Sequence, residues 1–159
     1  MALKICMRSH CGIGVGAIQW VSDNAIVDCI VSNQLLKGNK SMLGINVKNT
    51  DVAFADLIVD GIKTIETRDS KSLHPYIGKT VAIVRTGQGK ACAIGQVKIV
   101  AVSLVESRSE FDVAYNQHFV VKGSAFYIKD AKYLYHLADA VRYETPKPVG
   151  LGIVSRKVL

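Results

Sequence analysis

The segment Gly61-Ile-Lys-Thr-Ile-Glu-Thr-Arg-Asp69 concentrates side chains that can take part in chemistry. On a β-strand, side chains alternate between two faces, so Thr64, Glu66 and Arg68 are predicted to share one face. Lys63 lies at the mouth of the preceding turn and can reach the same place. An arginine holds a phosphate or a carbonyl oxygen, and a carboxylate accepts from an exocyclic amine. The spacing therefore predicts a Lys/Glu/Arg cluster suited to a polar or anionic ligand.

Two further interpretations of this cluster are open from the residues alone. If the pocket were partly desolvated, the pKa of Lys63 would fall, and the lysine would become a base or a nucleophile with Glu66 as its partner. If the strand face were exposed, the cluster would be an ordinary surface ion pair. Spacing alone does not decide between a functional and a structural role.

The elements that must position the cluster are a strand, a helix and a second strand. A strand is predicted over residues 43–47, and the cluster strand over 64–68. Thr50 is predicted to cap the helix between them, and Gly61 to end it. The runs 79–85 and 91–104, joined by a glycine-containing turn, predict a β-hairpin.

Shorter elements are predicted in the last third of the chain. Ser107 and Glu110 form a capping box that predicts a short helix. Three short strands are predicted over 133–137, 141–143 and 149–155, around a turn at 145–148 that contains two prolines.

Short strands outnumber helices, and a hairpin occupies the centre of the chain. This pattern argues against a doubly wound parallel sheet and predicts an α+β fold, a small curved sheet or barrel with helices packed on its ends. Asn24 is predicted to cap a helix over 24–36. The predicted organisation is an N-terminal extension, residues 1–42, and one domain, residues 43–159.

Composition limits the classes of partner. The chain has 159 residues and a net charge of +7, which favours an anionic partner. The positive excess lies mainly after residue 80, as isolated side chains. No apolar run approaches the roughly 20 residues that span a bilayer. Lys4 and Arg8 interrupt the stretch where a signal peptide would begin, so we expect a cytoplasmic protein without membrane contact.

No metal or cofactor is predicted. The four cysteines contain no C-x-x-C pair, and their spacing from the histidines matches no tetrahedral zinc site. These residues are Cys6, Cys11, Cys29 and Cys92, with His10, His74, His118 and His136. The glycine-rich run Gly12-Ile-Gly-Val-Gly-Ala17 departs from the dinucleotide-binding pattern, so we interpret it as a tight turn.

The stretch from Ala53 to Arg68 resembles the signature of the ASCH domain, a family related to the PUA RNA-binding barrel. The signature G-x-K-x-x-E-x-R is met at Gly61, Lys63, Glu66 and Arg68. Later segments, at 76–83, 93–97, 135–142 and 146–152, follow in the family's order. The resemblance covers roughly residues 43–155.

The resemblance implies a PUA-like small mixed β-barrel with flanking short helices and a cleft beside the Lys/Glu/Arg cluster. Its implied ligand is RNA or a modified nucleoside, bound by Lys63, Thr64, Glu66 and Arg68. Unpaired bases stack on aromatic rings, so we expect Tyr76 to contact the ligand. We also expect Arg85, at a strand end, to contact a phosphate.

Two alternative functions remain. Some relatives are hydrolases, which implies a metal-independent ribonuclease or nucleoside amidohydrolase with Lys63 and Glu66 catalytic. The amidohydrolase branch has threonine three residues after its lysine, where this chain has Glu66, and Asn116 and His118 lie where its distant carboxylate is expected. These departures argue against deacetylation by that route. The second alternative is a protein-interaction module that uses residues 1–40.

Overall fold

The computed structural model describes residues 42–159, which form a mixed sheet of six strands with short helices against it. The strands are β1 (Leu43–Lys48), β2 (Ile65–Arg68), β3 (Thr80–Thr86), β4 (Cys92–Val105), β5 (Lys132–Pro148) and β6 (Ser155–Lys157). Their order across the sheet is β2-β5-β4-β3-β1-β6. β1 is parallel to β3, and the other neighbours are antiparallel. The predicted α+β class is confirmed, and so is the central hairpin.

The helices are α1 (Phe54–Val59), a 3-10 helix (Lys71–Tyr76), α2 (Arg108–Val113) and α3 (Tyr115–His118). α2 begins where the capping box predicts, because the hydroxyl of Ser107 accepts from the main-chain N–H of Glu110 at 3.2 Å. None of the helices between residues 42 and 159 is long and apolar enough to cross a membrane. The predicted helix 24–36, most of the predicted extension and three of the cysteines lie outside the described residues.

The start of α1 differs from the prediction. The helix begins at Phe54, and Asn49 rather than Thr50 satisfies its first turn. The side-chain oxygen of Asn49 accepts from the main-chain N–H of Ala55 at 2.8 Å. The N-cap residue itself is Ala53, which has no side-chain cap, so the buried Asn49, 2% exposed, supplies the acceptor that the prediction assigns to Thr50. The end of the helix is as predicted, with Gly61 at φ +73.

β5 is one long strand, so the predicted turn at 145–148 is wrong. Pro148 pairs with Cys92, and Lys147 with Ala93. β2 pairs only with the stretch of β5 from Tyr133 to His136, so within residues 42–159 the rest of that side of β5 has no partner strand. Proline lacks a backbone N–H and is tolerated on such an edge.

The predicted barrel is also wrong, because the sheet is not closed. β2 and β6 are the two ends of the strand order, and no ladder joins them in the described part of the chain. The main-chain groups of Asn46 in β1 have other partners: its N–H donates to Val154 and its carbonyl oxygen accepts from the Arg68 side chain. A side-chain hydrogen bond from Arg68 therefore connects β2 and β1, and no ladder between these two strands is present in residues 42–159.

The core lies between α1 and the inner face of the sheet. Ile58 and Val59 of α1 are buried, and a Cβ on Gly95 of β4 would lie 2.5 Å from the Val59 side chain. Ile65 of β2 is 2% exposed, and its neighbour Glu66 is only 7% exposed. Both faces of β2 are therefore covered, which places charged side chains of the Gly61–Arg68 segment inside the protein.

Candidate functional site

Lys63 is a buried lysine at the turn between α1 and β2, 2% exposed. Its ammonium donates to the main-chain oxygens of Ile65 and His118, the latter at 2.9 Å. The same nitrogen lies 3.4 Å from Oε2 of Glu66. It also lies 5.3 Å from the ring centroid of Phe54. The ammonium therefore has two main-chain acceptors and one carboxylate oxygen as an ion-pair partner.

Glu66 lies between two cations. Its Oε2 faces Lys63, and its Oε1 lies 3.0 Å from Nη2 of Arg68. Nη2 of Arg68 also donates to the main-chain oxygen of Asn46 at 2.6 Å. The Nε of Arg68 is buried and has no hydrogen-bond partner among residues 42–159. The arginine side chain is 25% exposed, so it is the most accessible member of the trio.

Burial dominates the electrostatics of Lys63. Desolvation lowers the pKa of Lys63 below its usual value, whereas the nearby Glu66 carboxylate acts in the opposite direction and Arg68 adds to the lowering. The hydrogen bonds to two fixed carbonyl oxygens favour the protonated form. In this arrangement Lys63 is a fixed positive charge that orients Glu66.

His118 is the main-chain partner of Lys63 and is itself fully buried. Its Nδ1 accepts from the N–H of Val120 at 2.9 Å, so the proton is on Nε2, which donates to the oxygen of Phe111 at 2.8 Å. Its ring stacks on Phe111 with centroids 4.1 Å apart. Burial lowers the pKa of His118, which agrees with a neutral ring.

The Lys63, Glu66 and Arg68 side chains line a cavity of about 80 Å³, enough for several water molecules. Two aromatic rings, Phe54 and Phe126, form part of its wall and meet edge to face with centroids 6.1 Å apart. The complete lining is Val47, Lys48, Phe54, Lys63, Glu66, Thr67, Arg68, Val120 and Phe126. We refer to this space as the trio cavity.

The other predicted contacts lie away from the trio cavity. Tyr76 ends the 3-10 helix and donates to the hydroxyl of Ser155 at 3.0 Å. Arg85 of β3 lies 4.0 Å from Asp56. Thr64 is exposed, and its main chain bonds to Gln117 and Leu137. The structure therefore brings Lys63, Glu66 and Arg68 together at the trio cavity. Tyr76, Arg85 and Thr64 do not line it.

Sequence reasoning missed two parts of this site. The first part is the pair of aromatic walls, Phe54 and Phe126, which no motif near the signature segment indicates. His118 is 55 residues from Lys63, and no local spacing links the two.

Between residues 42 and 159, no group of three His, Cys, Asp or Glu side chains is arranged to hold a metal ion.

No protein-family model and no curated protein matches the chain. Its structure is similar to crystal structures of the ASCH protein of Zymomonas mobilis. A serine-to-alanine mutant has a TM-score of 0.55 and 21% identity over 68% of this chain and 74% of that chain. A tyrosine-to-phenylalanine mutant has a TM-score of 0.54 and 21% identity over 65% and 73%. A third structure has a TM-score of 0.52 and 20% identity over 62% and 69%. The described part of the chain therefore has the fold of an ASCH domain, as the segment from Gly61 to Arg68 predicts.

Proposed function

We propose that this chain is a member of the ASCH family and binds RNA or a nucleotide-like ligand in the trio cavity. The observation that carries the proposal is the buried carboxylate of Glu66, held between Lys63 and Arg68 at a cavity with phenylalanine walls. Such a carboxylate, fixed in position beside a partly exposed arginine, has hydrogen-bonding capacity left for a ligand.

The hydrogen-bonding capacity of the trio suits the edge of a nucleobase. Each carboxylate oxygen can accept about two hydrogen bonds, and each oxygen of Glu66 has one cation as partner. An exocyclic amine can occupy a remaining position, while the guanidinium of Arg68 donates to a neighbouring acceptor. Bases present such donor and acceptor pairs at their edges. The walls formed by Phe54 and Phe126 provide apolar surface for the base.

The net charge of +7 supports a polyanionic ligand through long-range attraction. The trio itself carries one net positive charge, so we assign base recognition to it and general attraction to the scattered lysines and arginines. The cytoplasmic location predicted from the sequence is part of this proposal.

A hydrolase is the second candidate, because burial lowers the pKa of Lys63 and an adjacent carboxylate accompanies it. In that function Lys63 or Glu66 would act as a general base toward RNA or an acylated nucleoside. The two main-chain acceptors of Lys63 favour the binding function, since they hold its protons. The interaction role predicted for residues 1–40 lies outside the described residues and stays a prediction.

The binding proposal is tested with short single-stranded RNA at low salt, by fluorescence anisotropy. Arg68→Ala is expected to weaken binding about 10-fold, the loss of one good charged contact. The matched control is Arg108→Ala, which removes the same charge from an exposed position at the start of α2. Equal affinities of these two variants would contradict the proposal.

A separate assay distinguishes binding from catalysis. The wild-type protein is incubated with RNA and with acylated cytidines, and products are followed by chromatography. Turnover that disappears in Glu66→Gln would establish the hydrolase. Binding without turnover on any of these substrates supports the binding function.

A further inference from the structure

A second, larger cavity lies next to the trio cavity. It has a volume of about 520 Å³ and shares the side chains of Phe54 and Phe126 with the trio cavity. The complete lining is Thr50, Asp51, Val52, Phe54, Val121, Lys122, Gly123, Ser124, Ala125 and Phe126. We call this space the side groove. Phe54 and Phe126 therefore form a wall that is common to both spaces.

One wall of the side groove is built from consecutive turns. The N–H of Ser124 donates to the oxygen of Val121 at 3.1 Å, and the N–H of Tyr127 to that of Ser124 at 3.0 Å. Gly123 has φ +82, a conformation that favours glycine. The rest of the lining includes the segment Thr50, Asp51 and Val52, which leads into α1. Two separate segments of the chain therefore border the groove.

Each of the two cavities has an exposed lysine in its lining. Lys48 lines the trio cavity and Lys122 lines the side groove. Neither ammonium takes part in an ion pair with another residue of the range 42–159, so both charges are available to a ligand. Asp51 also lines the side groove, and its carboxylate is an acceptor that suits a sugar hydroxyl and disfavours a second phosphate beside it.

We propose that the side groove is a second nucleotide subsite, so that the ligand is a single-stranded oligonucleotide rather than a free nucleoside. This inference rests on the proposed function. A base whose edge reaches Glu66, which is 7% exposed, must be unpaired. The next nucleotide of the strand then passes Phe126 into the side groove, where Lys122 binds its phosphate.

A second subsite makes the affinity depend on the length of the ligand, whereas the trio cavity alone does not. Dissociation constants are measured by calorimetry for a ribonucleoside monophosphate and a trinucleotide. The trinucleotide is expected to bind about 10-fold more tightly, because it adds a phosphate contact and a second base. Lys122→Gln is expected to remove most of this gain and to change mononucleotide affinity by less than about 2-fold.

The matched control is Lys129→Gln, which removes the same charge from an exposed position outside both cavities and is expected to leave both affinities unchanged. Val121→Glu, at a side chain that is 50% exposed, places a negative charge in the side groove and is expected to weaken only trinucleotide binding. Equal affinity for both ligands, or equal effects of Lys122→Gln on both, overturns the second subsite while the trio site stands. Absence of binding by either ligand overturns the proposed function together with this inference.

Discussion

The ammonium of Lys63 donates a hydrogen bond to the main-chain oxygen of His118, which lies 55 residues further along the chain, at 2.9 Å. Phe119 follows in the left-handed conformation, φ +60, and Val120 after it lines the trio cavity. Lys63 thus contacts Glu66 on one side and, on the other, the loop that supplies Val120.

Replacing Lys63 with methionine should destabilise the protein markedly. The substitution preserves approximate volume but leaves the main-chain oxygens of Ile65 and His118 without their donor and Glu66 with one cation. Removal of one partner from a buried ion pair costs about 3–5 kcal/mol, and we expect a loss of about 3 kcal/mol in the free energy of unfolding. Urea denaturation of the full chain measures this quantity.

Lys79→Met is the control for this substitution, because Lys79 is exposed and the change is chemically identical. It should alter the free energy of unfolding by no more than about 0.5 kcal/mol. A similar loss in both variants would mean that Lys63 has no special structural role.

The stability of the protein should fall below about pH 6.5, in part through His118. Burial lowers the pKa of His118 below the value of 6.5 that applies in the unfolded chain, and Lys63 and Lys132 act in the same direction against Asp112. Between the two pKa values the unfolded state binds a proton that the folded state does not. The contribution of His118 to stability is therefore complete above pH 6.5 and decreases as pH falls toward the folded pKa.

The measurement is the free energy of unfolding between pH 5 and 7.5, for the wild type and for His118→Gln. The slope with pH should be smaller in His118→Gln, since the titrating group is absent. His136→Gln, at a partly exposed ring that bonds to Ser103, should retain the wild-type slope. An unchanged slope in His118→Gln would show that another group causes the loss of stability at low pH.

The link between α1 and β5 should depend on salt. Arg142 lies 2.8 Å from Asp60 and 3.2 Å from Asp56, and it is about two-fifths exposed. Arg142→Met is therefore expected to cost about 0.5–1 kcal/mol at low salt, the usual range for a surface ion-pair network. At 1 M NaCl the difference from the wild type should become smaller because mobile ions screen the pair. A salt-independent difference would assign the effect to lost side-chain packing.

Local signals predicted the trio because all three side chains lie within a turn and a strand. Strand alternation brings Glu66 and Arg68 to one side, and the preceding turn brings Lys63 to them. The partners of the trio could not be predicted, since His118 and Phe126 reach it through tertiary packing. The two prolines after Thr145 are typical of a turn, yet both lie in β5. One side of β5 has no partner strand at this point, so a missing backbone N–H is tolerated there.

The close packing of α1 against β4 should not tolerate one added methyl group at Gly95. A Cβ on Gly95 would lie 2.5 Å from a methyl of Val59 and 2.5 Å from the main-chain oxygen of Val141. Gly95→Ala is therefore expected to displace α1 and to reduce the free energy of unfolding by about 1–3 kcal/mol, the range for overpacked cores. Because α1 begins with Phe54, its displacement should also move one wall of the trio cavity and weaken RNA binding.

Gly150→Ala provides the comparison for this prediction. Its added Cβ would meet its nearest neighbour, the oxygen of Lys157, at 3.8 Å, which is ordinary contact. Both variants are measured by thermal unfolding and RNA titration. The comparison distinguishes the steric effect of a Cβ at Gly95 from the general effect of replacing a glycine with alanine. Gly150→Ala should remain close to the wild type in both measurements. If Gly95→Ala did so as well, α1 could withdraw from β4 without cost, and the position of Phe54 would not depend on this contact.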